Sequence, residues 1–324
     1  MSLSLNSAAG CPTRRLFLSV LMTALVLAAG TLGIGAEMSE LAPLASRSRL
    51  LDITWAGSQL VTVGEHGHVL LSADQGKSWK QCTVPSRALL TAVSFADAAH
   101  GWVVGHDGTI LVTADGGQTW NRQDRGENLN SIYLDVLFLD PSHGFICGAY
   151  GKFLTTSDGG KTWQPSKPVD EEVHYNRLAR ATDGTLYLAG EGGLFLRSVD
   201  EGKRWTRDEV PYQGSLFGIV PLGRGAVAVS GLRGHIFVTA VGSANWEPRE
   251  VEPKVLLMSG IVASDGRLIF AGTGGNFFFS SDAGRMFTHW KPADFGTSIA
   301  DLIGTADGWI ITVGEAGAVR IKLP

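Results

Sequence analysis

The sequence predicts an all-β fold, a seven-bladed β-propeller, from three observations: a glycine-anchored repeat, short strand-like runs, and a recurrent turn closed by an aromatic ring. Gly64, Gly105, Gly148, Gly190, Gly231, Gly272 and Gly314 follow one another at intervals of 41 to 43 residues, each with two variable residues, a second glycine and an apolar run behind it. Repeats of roughly 40 to 50 residues that hold four short strands are the signature of propeller blades.

The first repeat sets the ruler. Leu51–Trp55 reads as an inner strand, Leu60–Val63 as a second, Val69–Ser72 as a third and Trp79–Val84 as a fourth. The runs are rich in β-branched and aromatic residues and are bounded by Gly, Asp or Ser, as antiparallel hairpins are. Nothing in the repeats sustains a 3.6-residue period long enough for a helix. The seventh copy, SIADLIGTADGWIITVGEAGAVRIKLP, supplies three strands and no turn motif. Met38–Arg49, between the leader and the first inner strand, is therefore expected to donate the missing fourth strand, so that an N-terminal strand closes the ring and protects its edges. The expected domains are residues 1–36, a signal peptide or membrane anchor, and residues 37–324, the propeller.

Five copies carry S/T-x-D-x-G-x-x-W/F: Ser72-Asp74-Gly76-Trp79, Thr113-Asp115-Gly117-Trp120, Thr156-Asp158-Gly160-Trp163, Ser198-Asp200-Gly202-Trp205 and Ser280-Asp282-Gly284-Phe287. The carboxylate is suited to accept turn amides, the glycine to a positive φ, and the ring to burial against the sheet. Thr239–Trp246 lacks the Asp and the Gly but keeps Trp246, so packing of the ring outranks the carboxylate. These Asp boxes, or BNR repeats, occur in sialidases. Their expected place is structural, at the rim between third and fourth strands and on the face away from the binding face.

The tandem G-x-x-G and Asp-box array behind a leader resembles the photosystem II stability and assembly factor family, over nearly all of the chain after residue 36. The stretch His174–Trp205, HYNRLARATDGTLYLAGEGGLFLRSVDEGKRW, carries the resemblance most closely, with Asn176, Arg177 and Arg180 entering the fourth blade as family members do. The resemblance implies a seven-bladed propeller without catalytic activity that binds membrane-protein subunits during assembly, in the periplasm or, in a photosynthetic cell, the thylakoid lumen. Photosynthetic members place a cluster of arginines at the start of the next blade. Here Val210–Gly223 holds none before Arg224, which points to a different client.

Thr13-Arg14-Arg15 precedes an uncharged apolar stretch from Leu16 to Ala36. This is an export signal, and its Thr-Arg-Arg-x-Phe-Leu order also resembles a twin-arginine signal. The stretch would span ~30 Å as a helix, so retention as an anchor competes with cleavage after the small residues Gly33, Gly35 and Ala36. Either outcome puts the propeller outside the cytoplasm. Cys82 and Cys147 fall two blades apart and read as buried free thiols, not a disulfide. Lys plus Arg number 27 against 31 Asp plus Glu, a near balance that disfavours nucleic acid.

The sequence does not assemble the triple arginine, Tyr–Glu pair and acid of a sialidase, so no catalytic residue is assigned. No cofactor is called for. His66-Gly67-His68 is the only tight histidine pair and reads as solvated loop residues, not a metal site. His100 and His143 occupy equivalent turn positions, where an imidazole caps the turn. The G-x-x-G units are hairpin turns, not phosphate loops. What remains is surface. Hairpins between second and third strands and the connections between blades share one face, where Glu65, His66, His106, Asp107, Tyr150, Lys152, Glu191, Arg233 and His235 gather, joined by Arg87, Tyr175, Arg177, Tyr212, Phe217, Phe295 and the long loop Pro165–Asn176.

The expected function is a monomeric, exported propeller that docks on an integral membrane protein or its assembly intermediate, with Tyr150, Tyr175, Arg177, Arg180 and Arg233 as partner-binding residues. A glycan-binding or sialidase-like propeller and an accessory protein of an envelope transporter are the alternatives.

Overall fold

A computed structural model describes residues 37–123, 130–239 and 245–324. They form seven antiparallel sheets in chain order, six of four strands and a last one of three. The inner strands are Leu50–Ala56, Leu90–Phe95, Tyr133–Phe138, Tyr175–Arg180, Leu216–Gly223, Leu257–Val262 and Ile299–Gly304. Each packs against the next around a central channel, and the seventh packs against the first, which closes the ring. No helix among the described residues is long and apolar enough to cross a membrane. The turn before Trp246 lies outside the described residues, as does the leader.

Seven apolar clusters fill the seven seams between blades. The Asp-box rings explain much of this. Trp120 packs with Val61 and Leu71 of blade one, Trp163 with Trp102 of blade two, and Trp205 with Phe145 and Phe153 of blade three. Each ring thus wedges between its own blade and the preceding one. In every box the hydroxyl and carboxylate organise only their own turn. Ser72 Oγ donates to Asp74 Oδ1 at 2.8 Å, Asp74 Oδ1 accepts the Lys77 and Ser78 amides at 3.0 and 2.9 Å, and Gly76 N–H donates to Ser72 Oγ at 2.8 Å. The bond from the Ser78 hydroxyl leads the contacts that hold Asp74 down at about 2. These carboxylates are committed to their turns, as the structural reading of the motif expects.

The closure of blade seven differs from expectation. Its sheet has three strands, Ile299–Gly304, Trp309–Gly314 and Gly317–Lys322, and Met38–Arg49 adds no fourth. That segment instead runs over the outer rim of blade one and ends in a 3-10 turn at Ala45–Arg47 beside Gly317. Its amides are spent on blade one and on its own turn, where Ala45, Arg47 and Ser48 donate to the carbonyls of Ala42, Leu44 and Ala45. Ser39 exchanges bonds with Val84 through its amide and its hydroxyl, and Ala42 N–H donates to the Gln81 side chain at 2.8 Å. With these donors spent on blade one and in its own turn, the segment has no ladder to offer blade seven.

The third strand of blade seven is also turned over. In blade one Val63 faces Val69 across the hairpin, whereas the equivalent Val313 faces Ala318, a one-residue slip. A slip of one flips every side chain to the other face of the sheet. Leu71 accordingly packs toward the following blade, while its counterpart Ile321 packs toward the preceding one, with Phe277 and Phe279 of blade six.

Candidate functional site

Every inner strand carries a register shift at the same place, one residue before its third position: Leu50/Asp52, Leu90/Ala92, Tyr133/Asp135, Tyr175/Arg177, Leu216/Gly218, Leu257/Ser259 and Ile299/Asp301. A bulge re-aims the side chain that follows it. Here it directs the seven third-position residues, Asp52, Ala92, Asp135, Arg177, Gly218, Ser259 and Asp301, toward one ring. Three acids and one arginine meet there. Arg177 Nη1 lies 3.2 Å from Asp52 Oδ1, Nη2 3.3 Å from Asp301 Oδ1, and Nε 3.8 Å from Asp135 Oδ2. Ser259 Oγ donates to the same Asp301 oxygen.

Carboxylate oxygens of the three acids also stitch neighbouring blades. Val93 N–H donates to Asp52 Oδ2 at 2.7 Å, Leu178 N–H to Asp135 Oδ2 at 2.7 Å, and Ile53 N–H to Asp301 Oδ2 at 3.3 Å. The last of these crosses the seam between blades seven and one. Burial pushes the Asp52 carboxyl well above the usual range; Arg177 opposes this, and Asp301 and Asp135 add to it. Burial likewise raises Asp135, against the pull of Arg177 and two backbone amides. Burial works against the charge of Arg177, but Asp301, Asp52 and Asp135 outweigh it and hold the guanidinium firmly protonated. A cavity of about 240 Å³ opens beside Asp52, Asp135 and Arg177.

The five partner-binding candidates are not brought together. Tyr150 and Arg233 stand at the tips of the second-to-third-strand hairpins of blades three and five, both exposed, with φ of 56° each. Tyr175 is 1% exposed, its ring at 6.1 Å from Phe153 inside the seam between blades three and four, so it offers nothing to a partner in this fold. Arg177 belongs to the channel, where its three carboxylates hold it. Arg180, at the far end of the same strand, donates to Leu139 O at 2.9 Å and lies by the Asp box of blade four with Glu201 and Lys203, on the opposite face. The strand runs from one face to the other, which separates residues that are neighbours in sequence.

The hairpin face itself is organised by the repeat. Gly67, Gly108, Gly151, Gly193 and Gly234 each donate an amide to the connection that leads into the next blade. Gly193 has a φ of 76°, and a Cβ there would overlap Tyr212 O, so only glycine fits this approach. Glu65 and Glu191, expected on this face, reach back to accept the Arg49 and His174 amides at 3.0 and 3.3 Å. Tyr150 remains available, 71% exposed and edge-on to His174 at 4.9 Å. Around blades four and five, Gly192, Arg207, Glu209, Pro211, Tyr212 and Gln213 line an open groove of about 650 Å³.

His100 and His143 take the turn role read from the sequence, each with Nδ1 2.9 Å from the carboxylate three residues earlier, Asp97 or Asp140. His68 is buried and His66 exposed, and among the described residues no group of three or more His, Cys, Asp or Glu is arranged to hold a metal. Cys82 and Cys147 are buried free thiols, and burial raises both. The sequence reading missed Asp52, Asp135 and Asp301. Their signal was the third place of the inner strand, in register with Arg177, which becomes informative only once the bulge is known to aim it inward.

These features define the chain as a seven-bladed Asp-box propeller with a polar channel. The family model described as photosynthesis system II assembly factor YCF48 matches residues 71–129 and 125–316, and the chain belongs to this family. Among solved structures it is similar to one described as YCF48 bound to D1 peptide, at 21% identity and a TM-score of 0.70, over 89% of this chain and 97% of that one. It is similar to YCF48 from Cyanidioschyzon merolae at 18% identity and a TM-score of 0.69, over 88% and 98%. A likeness in fold alone extends to the WD40 propeller domain of Doa1, at 12% identity and a TM-score of 0.65, over 88% of this chain and 95% of that one. No curated protein matches the sequence.

Proposed function

We propose that this chain is an exported propeller without catalytic activity that docks on a membrane-protein client, or on its assembly intermediate, through the hairpin face. The observation that carries the reading is its membership of a family in which one solved structure is that of YCF48 bound to D1 peptide. On this chain the hairpin face supplies what a peptide needs: the exposed Tyr150 and Arg233, both residue types favoured at interface hot spots, and the groove walled by Arg207 and Tyr212. The absence of an arginine cluster between Val210 and Gly223 favours a client that differs from that of photosynthetic relatives. The chain would act outside the cytoplasm, in the periplasm or a lumen, as a monomer and without cofactor.

The test is crosslinking in cells followed by affinity capture of a C-terminally tagged chain from solubilised membranes, with partners identified by mass spectrometry. One specific membrane complex should be recovered, and the pair Tyr150→Ala and Arg233→Glu should reduce its yield at least several-fold in a protein that melts normally. Equal recovery of the complex by the variant would remove these two residues from the interface. Recovery of no membrane protein above background would sink the docking reading.

A further inference from the structure

The rim segment that precedes blade one buries the wrong residues for an ordinary surface strap. Reading every third position, Ser39, Ala42 and Ala45 face the propeller, with Ser39 and Ala45 only 4% and 3% exposed. The alternate stripe Met38, Leu41 and Leu44 faces out, at 49%, 67% and 61% exposure, and Arg47 continues it. Isolated exposed apolar residues need no explanation, but three large ones on one stripe while the small ones are buried do. The stripe is held in place. Arg87 donates to Met38 O at 2.9 Å and pairs with Glu37 and Glu40, Gln81 Nε2 donates to Glu40 O at 2.8 Å, and the Ala45–Arg47 turn lies against Gly317. Arg87, on the connection into blade two, and Gly317, at a second-to-third-strand hairpin, both belong to the hairpin face.

We propose that this stripe rests in the interfacial layer of a lipid bilayer and turns the hairpin face of the propeller toward the membrane. The occupant follows from chain continuity. The uncharged run Leu16–Ala36 ends two residues before Met38, and two residues span at most roughly 7 Å. If that run lies in a bilayer, Met38 stands at its surface, and Leu41 and Leu44 continue the same exposed stripe along the rim from there. Leu and Met side chains bury in the boundary between acyl chains and headgroups, and an adjacent cation is attracted to anionic headgroups. Arg47 meets that description, since no carboxylate pairs with it among the described residues. The orientation deepens the proposed function and rests on it only for its use: a face turned to the bilayer meets a membrane client where that client emerges.

The experiment uses the full chain reconstituted into vesicles of phosphatidylethanolamine and phosphatidylglycerol that contain no other protein. An environment-sensitive fluorophore is attached through Leu41→Cys or Leu44→Cys, and in control variants through Val199→Cys or Met286→Cys, which are exposed at or beside Asp boxes on the opposite face. Labels at 41 and 44 should be quenched by lipids brominated in the acyl chain, several-fold more than labels at 199 and 286. Replacing Leu44 or Leu41, whichever is unlabelled, by Asp should lower that quenching while the thermal transition stays in place. Equal quenching on both faces, no quenching at 41 and 44, or failure of the chain to float with the vesicles would overturn the proposal. Because client is absent, quenching at 41 and 44 stands even if the capture experiment returns no partner. A stripe that is shielded only in native membranes, without lipid quenching, would instead belong to a protein and would overturn the lipid assignment.

Discussion

The guanidinium of Arg177, in blade four, reaches across the channel to the carboxylate of Asp301, in blade seven, with Nη2 and Oδ1 3.3 Å apart. Asp301 in turn accepts the amide of Ile53 in blade one. The seam that was expected to be sealed by a shared strand is thus tied by side chains. Arg177→Met would leave three buried carboxylates without their cation, and removing one partner of a buried ion pair costs about 3 to 5 kcal/mol. The Arg177 side chain keeps 30% exposure toward the channel, which places the loss near the lower end. Urea unfolding should register it, and adding Asp52→Asn and Asp301→Asn should restore much of the midpoint. An unchanged midpoint for Arg177→Met alone would mean that channel water already solvates the acids.

The channel and the Asp boxes should titrate with opposite sign. Asp52 binds its proton more tightly in the folded chain than at its ordinary value of 3.8. Its contribution is therefore complete below that value and fades as pH rises through the raised folded pKa. Asp74, Asp158 and Asp200 are held at about 2, led in each case by a side-chain bond from Ser78, Thr162 or Arg204. Their contribution is present above 3.8 and fades as pH falls toward 2. Asp52→Asn, which keeps an acceptor for the Val93 amide, should gain on the parent chain as pH is raised. A pH series of urea midpoints with parallel curves for the two proteins would contradict this.

In the boxes, the ring should matter more than the carboxylate. Trp120 is 5% exposed, edge-on to Phe95 at 6.1 Å, and its indole N–H donates to Gly117 O at 2.9 Å. Trp120→Ala should cost about 3 to 5 kcal/mol, the range for truncating a large aromatic in a core. Asp115→Ala, at a solvent-facing turn, should cost clearly less. Thermal melts of the two variants decide the order, and a larger loss for Asp115→Ala would reverse it.

Gly317 has a φ of 77°, and a Cβ there would overlap Ser46 O. Gly317→Ala combines a left-handed penalty of about 1 to 2 kcal/mol with displacement of the Ala45–Arg47 turn. Amide exchange should accelerate at Ser39–Ser48 and leave blades three to five unaffected. Uniform destabilisation across all blades would show that the rim segment is not the element disturbed.

A last contrast concerns Arg180. It lies by the Asp box of blade four, so Arg180→Ala should leave capture of a client unchanged while Tyr150→Ala and Arg233→Glu reduce it. Loss of capture in Arg180→Ala would move the docking site to the other face.

The period of the glycines and the Asp-box rings made the seven blades legible, because both are imposed by local turn geometry that a sequence records directly. The fate of Met38–Arg49 was not legible. Whether a short segment pairs as a strand depends on where its amides find acceptors, and those acceptors, Gln81 and Val84, lie about 40 residues away. The candidate site was legible in part. Tyr150 and Arg233 were readable because a hairpin tip is exposed wherever it occurs, whereas Tyr175, Arg177 and Arg180 share one strand whose course from face to face scatters them to core, channel and far rim. The slip of the third strand in blade seven gave no sequence signal, since GEAGAV reads like its six counterparts.

The bulge ahead of the third inner position occurs seven times and is made by backbone, so it does not depend on what side chain it presents. The channel is in effect a word of seven letters, here Asp, Ala, Asp, Arg, Gly, Ser, Asp, written on a page that stays the same. The letters are not equally free: Asp52, Asp135 and Asp301 also accept amides of neighbouring blades, and a Cβ at Gly218 would overlap Ser230 Oγ, so an exchange must keep an acceptor and a fit as well as a tolerable sum of charges. Within those limits a propeller of this design can shift its electrostatic lining by substitutions such as Asp to Asn, which keep the acceptor and remove the charge, while its rim and its faces go on as before.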